Sequence, residues 1–192
     1  FLIGRAVLFD QIAPFGAALF AVLLYKKMGG FSAFLAVTAG LLSFRFGIPA
    51  GRYVITMLLF ASVWTLANTK SVKWTAFRAA ILLSTCLLTV NTAYSIFNGF
   101  LVYEMLLGLF ESIVGFVMIF IFSQAADVFR DQKRRRILSG EEMICISIFL
   151  SLAIIGFWNI NLFGLSLRNT FSIFLILLFA YIGGAGAGAA IG

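Results

Sequence analysis

The sequence predicts an all-α protein, a polytopic bundle of about seven transmembrane helices. Three observations predict it. Of 192 residues, 62% are hydrophobic and only 11% are charged, against about 25% charged in a typical soluble domain. The apolar residues lie in long uncharged runs without the alternation of a membrane β-strand. The 14 basic residues also fall unevenly between the loops on the two sides of such a bundle. A soluble fold has too little polar surface here to cover its exterior, whereas lipid accepts an apolar one.

Seven segments follow from the uncharged runs and the need for roughly 20 apolar residues per span: residues 8–25, 30–46, 49–67, 75–97, 100–122, 141–158 and 169–190. In the first, Pro14 is interior and is expected to kink the helix. The second is short, with little tilt or a partly re-entrant path. The third opens with Pro49 in the first-turn position that suits proline. Gly29, Gly30, Gly47 and Gly99 mark loops between segments. The sixth has a sequence-encoded start: in "SGEEMI", Ser139 is a helix cap, Glu142 completes a capping box three residues on, and Glu141 and Glu142 suit the positive end of the helix dipole.

Charge sets the orientation. The stretch "RDQKRRR", residues 130–136, carries Arg130, Lys133, Arg134, Arg135 and Arg136 after the fifth segment. The positive-inside rule makes this loop cytoplasmic. Alternation then places Lys26, Lys27, Lys70, Lys73 and Arg78 inside, and Arg5, Arg45, Arg52 and Arg168 outside. The first residue here is then extracytoplasmic. The chain reads as a single membrane region excised from a longer protein, with at least one more helix upstream. The basic loop is explained by orientation and by the anionic lipid surface. No aromatic interleaving accompanies it, so nucleic acid is not an expected partner.

The absent chemistry narrows the function. With no histidine, the commonest metal ligand, the Ser-His-Asp triad and the Cys-His dyad are all missing. Cys86 and Cys145 sit within separate apolar runs and read as free buried thiols. No catalytic, cofactor-binding or metal-ligating residue is assigned.

The costliest side chains are Glu104 and Glu111. Glu111 falls at the midpoint of the fifth segment, where a charge costs about 2.5–3.5 kcal/mol on insertion scales. Seven residues apart, the two share a helix face with Gly108 and Gly115. The fourth segment offers a polar face of Ser84, Asn91, Ser95 and Asn98. A hairpin about Asn98 and Gly99 brings Glu111 level with Cys86, near Thr85 and Thr89, and Glu104 near Asn91 and Ser95. Two readings stay open: hydrogen-bonded structural glue between helices, or a path for protons or cations. A glycosidase pair is excluded for want of a soluble cleft. Asp10 is a lesser case, with Arg5 or Arg52 as its partner.

Residues 183–192, "GGAGAGAAIG", fit a dinucleotide fingerprint only loosely, with no strand, helix and acidic residue to complete it. No lysine follows to make a P-loop. Gly184, Gly188 and Gly192 recur every four residues as a small-residue packing face. The main rival is a glycine break between two helices.

"FLIGRAVLF" followed by "PFG", then "SGEEMICISI", then "FAYIGGAGAGAAIG" together resemble the N-terminal membrane region of the stage II sporulation protein E family of endospore-forming bacteria. The likeness runs over nearly the whole chain, and the order and spacing of its motifs carry it. It implies about ten helices ahead of a cytoplasmic serine phosphatase domain that uses a divalent metal, Mn or Mg. It further implies a cell-membrane protein that gathers at the polar division septum, contacts a tubulin-like division protein, and dephosphorylates an anti-anti-sigma factor so as to release the forespore sigma factor. None of the metal-binding aspartates has a matching stretch here. The expectation is a non-enzymatic membrane anchor and assembly or localisation module, embedded in the bilayer and self-associating. The alternative from the residues alone is a small-solute or proton-coupled transporter or channel using Glu104 and Glu111.

Overall fold

The structure, a computed structural model, describes residues 1–7, 12–44, 48–69, 74–99, 102–130, 139–157, 161–162 and 165–191. In chain order these form α1 (Leu2–Arg5), α2 (Pro14–Tyr25), α3 (Gly30–Phe44), α4 (Ile48–Thr69), α5 (Ala76–Phe97), α6 (Val102–Arg130), α7 (Gly140–Ile155), a two-residue antiparallel pairing of β1 (Asn161–Leu162) with β2 (Leu165–Ser166), and α8 (Leu167–Ile191). The all-helical expectation holds apart from the small pairing before α8.

Among the described residues three helices are long and apolar enough to cross a membrane: Ala50–Asn68, Ala76–Phe97 and Val102–Arg130. Pro14–Tyr25 and Gly30–Ser43 are shorter apolar helices, and the backbone of α8 is helical over 25 residues. A polytopic bundle fits these helices; seven spans are more than they establish.

The first segment departs most from expectation. Pro14 opens α2 instead of kinking a longer helix, and Leu2–Arg5 is a separate turn. Proline suits that position because a first-turn N–H has no partner inside the helix. Asp10 lies outside the described residues. The fifth segment is longer than expected: α6 continues to Arg130. Glu111 is thus not at its midpoint but nine residues from its start, nearer the α5–α6 turn. The capping box of α7 is formed, Ser139 Oγ accepting from Glu142 N at 3.2 Å and Glu142 Oε2 accepting from Ser139 N at 2.9 Å. α5 is capped by Thr75, whose hydroxyl accepts from Arg78 N. The turn between α2 and α3 and the one after α5 use Gly29 and Gly99 at φ 87° and 94°, where a Cβ would be strained.

Short α2 occupies the centre and touches α1, α3, α4, α5 and α6. Phe15, Ala17, Ala18, Phe20, Ala21 and Val22 are all buried. They join Met57 and Phe60 of α4, Leu83 and Leu87 of α5, and Ile119 and Phe122 of α6 in one core. Irregular backbone is tolerated at membrane depth only where protein covers it. Here α1 docks on α3 through glycines: a Cβ at Gly4 would lie 2.6 Å from Val37 O, and one at Gly40 would collide with Phe1 O.

The outer surface is apolar. On α6, Val102, Leu106, Leu109, Phe110, Ile113 and Val117 are exposed at helical spacing. Soluble monomers rarely leave so continuous an apolar face in water; it fits contact with lipid.

Candidate functional site: a buried polar cluster on Glu111

α5 and α6 form an antiparallel hairpin, the most extensive helix pairing in the bundle. Glycine lets them approach: a Cβ at Gly108 would sit 2.7 Å from Asn91 Cβ, and one at Gly115 would sit 2.6 Å from Leu87 Cδ1. Across this seam Ser84 and Ser112 share a hydrogen bond at 3.2 Å.

Glu111, 0% exposed, lies on the inner side of the hairpin. Asn91 Nδ2 donates to its Oε2 at 2.7 Å. Tyr53 of α4 donates its hydroxyl proton to Oε1 at 2.5 Å. The Tyr53 oxygen in turn accepts from the N–H of Ala13 at 3.0 Å, one of the donors that the start of a helix leaves without an internal partner. Arg52 Nη1 donates to Asn91 Oδ1 at 3.4 Å, and its guanidinium lies 4.8 Å from the Tyr94 ring centre and 5.5 Å from that of Tyr53. One carboxyl thus joins α4, α5, α6 and the restart of the chain at α2. All its partners donate, which satisfies a carboxylate on both oxygens.

The sequence placed Glu111 inside the bundle but mistook its partners. Thr85 and Thr89 bond back to Leu82 O and Cys86 O of their own helix. Asn91, expected beside Glu104, is bonded to Glu111. Glu104 stands two turns away in the first turn of α6, and its Oε2 is buried with no hydrogen-bond partner among the described residues. The two glutamates are not brought into one site. Tyr53 went unread as a partner of Glu111, as did Arg52 and Tyr94 beside the cluster, where Arg52 bonds Asn91 and lies against the Tyr94 ring; the signal was an Arg-Tyr pair at the start of an otherwise apolar helix.

A second polar lock ties α2 to the far end of α6. Lys26 Nζ pairs with Asp127 at 2.5 Å and donates to Ser123 O at 2.7 Å, and the Tyr25 and Ser123 hydroxyls share a hydrogen bond of 2.5 Å. Of the basic loop, Arg130 is the last residue of α6, while Lys133, Arg134, Arg135 and Arg136 lie outside the described residues. Gly184 and Gly188 belong to α8, whose backbone stays helical to Ile191; Gly192 is outside the described residues. Cys86 and Cys145 are free and buried. Among the described residues no three Cys, Asp or Glu side chains gather where they could hold a metal ion.

A family model described as the SpoIIE N-terminal domain matches residues 1–192, the whole chain. The chain belongs to this family. Stage II sporulation protein E of Bacillus subtilis (strain 168) is 26% identical over 195 residues, a match covering 100% of this chain and 23% of that protein. The SpoIIE N-terminal domain here thus spans less than a quarter of the curated relative it matches. No solved structure matches it. With its apolar helices, this SpoIIE N-terminal domain is a membrane region of a sporulation protein.

Proposed function

We propose that this chain is the membrane anchor and the assembly and localisation module of a sporulation serine phosphatase, acting at the polar division septum on the route to forespore sigma-factor activation. Membership of the SpoIIE N-terminal family supports the sporulation role. The observation that carries the anchor reading is the closure of the Glu111 site. Both carboxyl oxygens are committed to donors on neighbouring helices, which is how a polar side chain holds membrane helices together. The phosphatase chemistry, its Mn or Mg, and the contacts with a tubulin-like division protein and an anti-anti-sigma factor belong in this proposal to other parts of the full-length protein.

The test replaces this region in the full-length protein with an unrelated multi-pass anchor. Retained membrane association with loss of septal gathering and of a forespore sigma-dependent reporter is expected. Parental localisation and reporter output in the swap would overturn the assembly and localisation role.

A second reading is a proton-coupled or small-solute transporter using Glu104 and Glu111. It draws on the unpartnered Glu104 oxygen and on the interrupted helix ahead of α2, since broken helices build many transporter sites. Flux through proteoliposomes that is lost in Glu111→Gln would favour it over the anchor.

A further inference from the structure

α2 lies along α6 in a fixed register. At its start, Pro14 Cβ stands 3.8 Å from where a Cβ on Gly115 would be, and at its end Lys26 pairs with Asp127. Twelve residues separate the two contacts on each helix. α2 therefore runs parallel to α6 and covers only the half of it from Gly115 to Asp127, about 18 Å at 1.5 Å per residue.

That half is filled with apolar side chains. The buried residues of α6 between Ser112 and Ser123 are Gly115, Ile119 and Phe122. Phe15 and Val22 of α2, Met57 of α4 and Leu83 of α5 join them in one core, all four at 0% exposure. Glu111 stands at one end of this layer and the lock of Tyr25, Lys26 and Ser123 at the other, about 18 Å apart along α6. Close-packed apolar interiors exclude water. On its other side Glu111 has polar company. Asn91 joins it to Arg52, whose guanidinium faces the Tyr94 ring. Arg52 and Tyr94 are only half-buried, and Arg52 is one turn from the start of α4 at Ile48.

We infer that the Glu111 cluster is open to one side of the membrane only. Water and small reagents reach it from the end of the bundle that holds the α5–α6 turn, and α2 seals it from the end that holds the α2–α3 turn. The inference rests on the chain being a membrane region, and it holds for the anchor and transporter readings alike. An apolar constriction closes a membrane path by excluding water, whereas ionisable residues inside a bundle face its interior or a water-filled cavity. The short half-helix α2 supplies the first on one side of Glu111 and is absent from the other.

The test uses the full-length protein with Cys86 and Cys145 replaced, in sealed membranes of each orientation, and a small charged thiosulfonate reagent. Met28→Cys and Gly99→Cys report which side is which. Glu111→Cys should react about tenfold faster or more from the Gly99 side, since from the Met28 side a charged reagent must cross the apolar layer. Asn91→Cys repeats the measurement with the carboxyl kept and should show the same preference. Ser123→Cys, beyond the apolar layer, should react from the Met28 side. Reaction of Glu111→Cys and Asn91→Cys from the Met28 side, equally from both sides, or from neither would overturn the inference.

Discussion

Tyr53 and Glu111 lie 58 residues apart in sequence and meet hydroxyl to carboxyl at 2.5 Å, both buried. Through that contact Tyr53 holds two things at once, because its oxygen also accepts from Ala13 N–H. Tyr53→Phe keeps the ring and orphans a buried acceptor on one side and a buried donor on the other. Intramembrane hydrogen bonds average about 0.6 kcal/mol, with a maximum near 1.7. Removing two should cost about 1–2 kcal/mol in a reversible unfolding assay in detergent. A variant as stable as the parent would show that the cluster does not hold α2 to α4.

Glu111 itself separates holding from transport. Glu111→Gln keeps an acceptor for Tyr53 and should preserve folding and function. Glu111→Leu removes both acceptors and should destabilise the bundle by roughly 0.5–2 kcal/mol, measured in the same assay. Normal insertion of Glu111→Gln with function abolished would count against structural glue and in favour of ion handling.

The α5–α6 seam depends on Gly108. Its missing Cβ would stand 2.7 Å from Asn91 Cβ, an atom fixed close to the backbone. Gly108→Ala should therefore push the hairpin apart, lose the Asn91–Glu111 bond and cost about 1–3 kcal/mol, the scale of an overpacked core. Gly51→Ala, facing open space, is the control and should be neutral or slightly stabilising by helix propensity. Equal melting temperatures for the two would refute close packing at Gly108.

How far the sequence reached is visible along the same hairpin. The limits of α5 were legible from the uncharged run and from Gly99, which ends the helix at positive φ; the Thr75 cap at its start went unread. Burial of Glu111 was legible because its exposure to lipid is costly. The partner was not. Level pairing pointed to Cys86, but helical side chains lean toward their own N-terminus. In an antiparallel hairpin Glu111 leans toward the turn and Asn91 leans away from it, so the two meet. Tyr53 could not be found, because its pairing depends on where α4 packs. The restart at Pro14 was hidden by an apolar run that reads the same whether it is one helix or two pieces. Orientation remains a matter of charge. Cysteines placed at Met28 and Gly99, in a background lacking Cys86 and Cys145, should be shielded from and open to an impermeant outside reagent respectively; the reverse pattern would invert the topology.

At the opposite end of α6 from the Glu111 cluster, Lys26 is nearly buried while its partner Asp127 is 65% exposed. Asp127→Asn should cost no more than about 0.2–1 kcal/mol, as for exposed ion pairs. Lys26→Ala should cost more, because the stem packs and the bond to Ser123 O is also lost. A larger loss for Asp127→Asn than for Lys26→Ala would show that the charge pair dominates.

The glycines of α8 form a face without side chains. The backbone is helical through Ile191, so Gly184 and Gly188 stand about one turn apart on one face. Without Cβ atoms such a face admits a neighbouring helix to backbone contact, with Cα–H···O bonds across the seam. A spacer would accept a larger residue at any of these positions; a packed face would not. Gly188→Leu should lower detergent-resistant stability or reduce oligomer size, while Ala187→Leu, about 100° round the helix, should do much less. Both are compared with the parent by melting temperature and by light-scattering mass in the same detergent. Equal behaviour of the two variants would mean that the glycines leave α8 free of a partner, and that self-association must be sought on another face.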